Sequence, residues 1–133
     1  MPAGETDLDH LLRAMRPEQL ASPFVFITVE PEQAPALWQD AFALIREAEG
    51  VTVVLPLEAA ERAGLTSETV WAGITLTVHS SLNAVGFLAA ISARLAAAGL
   101  SLNPLAGFYH DHLFVPWDRR DEAMAVLATF SDP

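Results

Sequence analysis

Between Trp71 and Gly99 the hydrophobic period of the chain changes once, and that change limits what the chain can fold into. In VWAGITLTVHS, residues Ile74, Leu76 and Val78 fall on one side and Thr75 and Thr77 on the other. A strand sends alternate side chains to opposite faces, so this stretch reads as a strand. Farther on, Val85, Leu88, Ile91 or Ser92, and Leu95 recur at helical spacing through Ala98, which marks one face of a helix. Gly99 stops that helix. The switch falls inside VHSSLNAVGF, Val78 to Phe87. Ser80 or Ser81 is the expected helix N-cap, because a serine hydroxyl accepts from the first free backbone N–H groups.

After Gly99 the sequence continues in the same manner. LSLNPLAGFYH is a strand interrupted by Pro104, which suits an edge or a bulge. His110–His112 turn the chain into HLFVP, another strand, and RRDEAMAVLATF is a helix with Ala123, Val126, Leu127 and Phe130 on its apolar face. Residues 70–133 therefore read β-α-β-β-α, the split βαβ pattern with its last strand missing. The first half can supply that strand. There, Asp7 or Asp9 caps a short helix through Leu8, Leu11, Leu12 and Met15 before Pro17. FVFITVE is a strand, PEQAPALWQD a loop, and AFALIRE and VTVVLP are two strands joined by a turn over Glu47–Gly50. LEAAERAGL is a short helix with Gly64 at its end.

Composition removes several functions. The net charge is −10, there is no lysine, and the seven basic residues are scattered arginines. Nucleic acid needs a basic footprint, and an anionic membrane surface needs one too; neither partner is expected. With no cysteine, disulfides, thiol catalysis and cysteine-held zinc are excluded. The start, MPAGETD, has no basic-then-apolar signal pattern. The run Ala84–Leu100 is broken by Arg94 and is too short for a bilayer. The expectation is a cytoplasmic protein. A hydrophobic fraction of 52% provides for a real core.

The segments ITLTVHSSLNAVGFLAAISARLAAAGLSLN and YHDHLFVP resemble an ACT domain, a ferredoxin-like module that senses small molecules. In the usual motif a strand ends and an Asp-x-x-Gly-x-Leu segment opens the helix. Here Asn83 stands where the Asp is expected, Gly86 where the Gly is expected, and Leu88 follows. Asn for Asp removes a charge that would face an ammonium group. With AFALIREAEGVTVVLPLEAA, the chain resembles small stand-alone bacterial proteins made of two ACT-like units. The resemblance implies an α+β, ferredoxin-like ACT fold with two fused units, 1–69 and 70–133, and antiparallel sheets with helices on one face. It also implies a non-catalytic regulatory protein that binds an amino acid or small carboxylate, needs no cofactor, and pairs as a homodimer.

The candidate ligand residues are His79, Ser80, Ser81, Asn83 and Gly86, with Tyr109, His110 and His112 on the rim. Free N–H groups at a helix start favour an anion, the serines and Asn83 add donors, and Gly86 permits close approach. The plainer reading is that Ser81 only caps the helix and Gly86 only packs. The split βαβ topology puts the strand ending at His79 beside the one beginning near His112, so three histidines and Asp111 are expected at one end of the sheet. They can contact a ligand, form a zinc-type site, titrate, or be ordinary turn residues. Glu47 and Glu49 can hold an amino group or be solvated turn charges. Ser81 with His79 or His112 lacks an orienting third group, and no P-loop or GxGxxG is present. No catalytic residue and no metal ligand is assigned. The rival functions are a ligand-free interaction module and a histidine-based metal-binding protein.

Overall fold

The computed structural model describes residues 4–131. The chain divides into two compact units: Met1–Leu20 with Ala72–Pro133, and Ala21–Trp71. The long strand β1, Pro17–Val29, runs through the division. It begins earlier than the expected strand, which started at Phe24.

In the first unit, α1 (Leu8–Arg13) leads to the start of β1. There follow β4 (Trp71–Leu76), α3 (Phe87–Ala97), β5 (Asn103–Ala106), β6 (Asp111–Pro116), and α4 (Arg120–Ala128). The strand order is β1-β4-β6-β5, with Pro17–Leu20 as the part of β1 that belongs to this unit. The strand missing from the C-terminal pattern is thus supplied from the first half. Asp7 is the cap of α1, its carboxylate accepting from the His10 N–H at 3.1 Å. β5 and β6 are antiparallel, with Leu105 opposite His112 and Ala106 opposite Asp111.

The core follows from alternation. Ala72, Ile74, Leu76 and Val78 pack with Leu113 and Val115 of β6. Leu11 and Met15, Phe87, Ile91 and Leu95 of α3, and Ala123, Leu127 and Phe130 complete the same cluster. Three helices therefore cover one face. The other face carries Thr75 and His112, which meet at 3.0 Å. Arg119 fixes the end of α3: its guanidinium donates to the Gly99 and Ala98 carbonyls at 2.7 and 3.1 Å and pairs with Glu122 at 2.8 Å. Gly99 (φ +75°) and Leu100 return N–H groups to Ala96 and Leu95. This left-handed glycine stop satisfies the last carbonyls.

The second unit contains most of β1, then β2 (Ala43–Glu47), β3 (Gly50–Pro56) and α2 (Leu57–Arg62). Its order is β2-β3-β1, with β3 antiparallel to both neighbours. β3 is the middle strand, which accounts for its almost wholly apolar sequence. Val25, Val29, Val51, Val53 and Leu55 form one core with Ala34, Leu37, Ala59 and Ala60. The expected loop PEQAPALWQD is ordered at its start: Pro31–Leu37 is a 3₁₀ helix. Pro31 pre-sets φ for the first position. The Glu30 side chain accepts from the Gln33 backbone while Gln33 reaches back to the Glu30 N–H at 2.9 Å.

Ile74 is fully buried, while Val85 is 84% exposed although it fits the helical stripe. Ile74→Ala is expected to lower stability by about 2–5 kcal/mol, and Val85→Ala to change it by less than about 0.5 kcal/mol. Urea unfolding of the two variants checks the pair.

Candidate functional site

The polar stretch between β4 and α3 is longer than the sequence suggests. β4 ends at Leu76 and α3 begins at Phe87, so the ten residues Thr77–Gly86 connect them and His79–Gly86 is a loop rather than a helix start. The N-cap is Gly86 in a left-handed conformation (φ +90°), with no side-chain hydrogen bond to the helix. The expected serine cap is not formed, and the reason is visible. Ser81 Oγ accepts from the Asn83 N–H at 3.0 Å, and Ser80 Oγ donates to Asp111 Oδ2 at 3.1 Å. Both serines are buried. Only a residue that tolerates positive φ can end the loop where Gly86 stands.

A short backbone strap crosses this loop. The Glu5 N–H donates to the His79 carbonyl at 2.8 Å, and the Ser81 N–H donates to the Glu5 carbonyl at 2.9 Å. These bonds make a single parallel bridge between Glu5 and Ser80. Gly4 lies so close that a Cβ there would stand 2.9 Å from the Ser81 nitrogen and 3.0 Å from the His79 carbonyl. Sequence reasoning passed over Glu5, because a single β-bridge leaves no periodicity to read. Asn83 is exposed and its side chain makes no hydrogen bond among the described residues.

The rim residues are brought together as a chain of rings. His79 lies 5.2 Å from Tyr109 and 6.4 Å from Phe108; Tyr109 lies 6.3 Å from His110, and His110 lies 6.4 Å from His112. The turn Gly107–His110 is closed by the Gly107 N–H on the His110 carbonyl at 2.9 Å. Tyr109 stands between His79 and His110 in this chain. Among the described residues no three His, Asp or Glu side chains are grouped so as to hold a metal ion. β6 then sorts its first two residues to opposite faces: Asp111 meets Ser80, and His112 meets Thr75. His79 Nε2 is buried with no hydrogen-bond partner among the described residues. A buried polar nitrogen left unpaired costs about 1–3 kcal/mol.

A second feature lies in the other unit. A groove of about 810 Å³ is lined by Pro31, Ala34, Pro35, Trp38, Leu44, Arg46, Glu47 and Val51. Of these, only Glu47 is a functional candidate by sequence. The available signal was a tryptophan set among two prolines in a stretch too polar to bury it.

His112 is held below the ordinary histidine value, first by its burial, then by the His110 charge, with Asp111 acting the other way. In the unfolded chain His112 therefore takes up a proton at a pH where in the folded chain it stays neutral. The stability tied to this group is complete above about pH 6.5 and is lost as the pH falls below it. In His112→Gln the urea midpoint is expected to fall less between about pH 7.5 and pH 5 than in the unaltered protein; parallel curves would remove His112 as the cause.

The ACT-domain family model matches residues 3–72, and a second ACT-domain model matches residues 67–129. Comparison with the curated proteins returns no match. Among solved structures, a protein of unknown function from Vibrio cholerae, a possible transport protein, is 46% identical with a TM-score of 0.81, over 90% of this chain and 92% of that one. A protein from Agrobacterium tumefaciens is 15% identical with a TM-score of 0.67, over 86% and 87%. The regulatory subunit of aspartate kinase from Thermus thermophilus, in its ligand-free form, is 12% identical with a TM-score of 0.58, over 85% and 95%. The last two likenesses are of fold alone. The strand order, the glycine-capped helix and the two tandem matches agree, and the chain belongs to the ACT-domain family.

Proposed function

We propose that this protein is a non-catalytic regulator that binds an amino acid or a similar small carboxylate at the loop His79–Gly86. The observation that carries the reading is the start of α3. Two serines and an asparagine precede it, yet no side chain caps it. The helix N–H groups and the positive end of its dipole are left for an anionic group. Asn83 adds an exposed amide, while Ser80 and Ser81 hold the loop in shape. Tyr109 and His110 form the rim, and His112 supports the turn from the opposite face of β6. The fold shared with an aspartate kinase regulatory subunit supports a regulatory role over a catalytic one.

The two ACT matches support a division of the sequence near residue 70, with each half an ACT-like unit. A homodimer and a cytoplasmic location complete the proposal. No helix among the described residues is long and apolar enough to cross a membrane. Binding regulates only through different affinities for the states of the assembly.

Thermal melting with each common amino acid at millimolar concentration tests the reading. One of them is expected to raise the melting temperature, by about 2.7 kcal/mol of stabilisation at 100 times its Kd. Gly86→Val, which forces a β-branched residue to φ +90°, is expected to lose that response. A flat response across amino acids, nucleotides and small acids would instead favour a ligand-free interaction module.

A further inference from the structure

The groove in the unit Ala21–Trp71 has the make-up of a binding site of its own. Its floor and one wall are strand residues: Leu44 and Arg46 share a face of β2, and Arg46 stands opposite Val51 of β3. Its other wall is the 3₁₀ helix. Three residues per turn eclipse side chains at i and i+3, so Pro31 sits over Ala34 and Pro35 over Trp38. Ala34 is buried into the core, while Trp38 remains 69% exposed at the groove's edge. Proline walls have no rotamers to freeze, and the capping box already fixes the backbone that bears them. Little ordering entropy remains to oppose binding.

Charge decides the kind of occupant. The chain has 17 acidic and seven basic residues. Arg62 is paired with Asp40 and Glu58, Arg119 with Glu122, and Arg94 and Arg120 stack on Phe130 and Trp117. Arg46, at the groove, makes no ion pair or side-chain hydrogen bond among the described residues. Glu47 also lines the groove, but its carboxylate accepts from the Thr52 hydroxyl rather than pairing with Arg46. An apolar cleft beside an unpaired, planar guanidinium suits a flat apolar body carrying one carboxylate. Its volume of about 810 Å³ falls in the range of ligand pockets, roughly 300–1,000 Å³.

We propose that this groove is a second ligand site that binds an aromatic monocarboxylate, the ring against Trp38, Pro31 and Pro35 and the carboxylate on Arg46. It is separate from the loop His79–Gly86 and does not depend on it.

The test is an NMR titration of the full protein with phenylacetate, reading the indole N–H of Trp38, which is identified by its loss in Trp38→Phe. The expected result is a saturable shift. The neutral phenylacetamide, of the same shape, should bind roughly tenfold more weakly or worse. Arg46→Gln should weaken phenylacetate by a similar factor, whereas Arg13→Gln, which removes the same charge elsewhere, should not. No saturable shift up to about 10 mM, a binding free energy of about −2.7 kcal/mol, overturns the proposal. Equal binding of acid and amide, or indifference to Arg46→Gln, overturns it as well. So does a shift of the same indole on raising protein concentration alone, which would assign the groove to a second copy of the chain. Failure of the amino-acid melting panel leaves this result untouched, because the titration reads only Trp38.

Discussion

Much of the first unit follows from one packing constraint: Ile74, Leu76, Leu113 and Val115 must all reach the same face and be covered. Each of the four is fully buried. Burying an aliphatic side chain of this size stabilises by about 1.5–3 kcal/mol, and three helices are recruited to do it. Once the pleat is set that way, the intervening residues have no choice of face. Thr75 and His112 must share the opposite side. Asp111 must point to the helical side, where Ser80 meets it. The chemistry at this end of the sheet is thus a by-product of core register, settled before any polar contact is made.

The same constraint explains what the sequence disclosed. The alternation at Ile74–Leu76–Val78 and the stripe through Ile91 and Leu95 report burial directly, and burial is what the structure obeys. The neighbourhood of His79 with the 109–112 turn was legible as well, because strand adjacency follows from the split βαβ order. The cap of α3 was not. Ser80 and Ser81 are excellent caps in isolation, but one is drawn off by Asp111 from a later hairpin. The other turns its hydroxyl to the Asn83 N–H inside the loop, where the Glu5 carbonyl also holds its backbone N–H. Preference for a cap is local, and the competition for Ser80 is tertiary. Nor could spacing reveal that Tyr109 stands between His79 and His110.

The groove escaped for a different reason. Two prolines in seven residues argue against an α-helix, and by sequence the stretch is a loop. A 3₁₀ helix tolerates what an α-helix does not: Pro31 and Pro35 sit within it, and the capping box of Glu30 and Gln33 closes its start. The irregular element is therefore as well determined as the regular ones. Prolines that forbid one helix make the wall of the cleft stiff, and stiffness is what a small site needs when no large conformational change accompanies binding.

The path of β1 has a consequence for how such a chain can arise and be divided. The unit that carries α3 and α4 takes Leu11 and Met15 into its core and Pro17–Leu20 into its compact body. A gene segment beginning near residue 70 would therefore encode an element order without the residues that close it. The part of its apolar face that Leu11 and Met15 cover would be open to water, and its edge would offer unpaired backbone to any neighbour. Two ACT-domain models match the chain in tandem, but the segment after residue 70 alone would be an incomplete body. No single cut in the chain separates the two units, since β1 is a part of each.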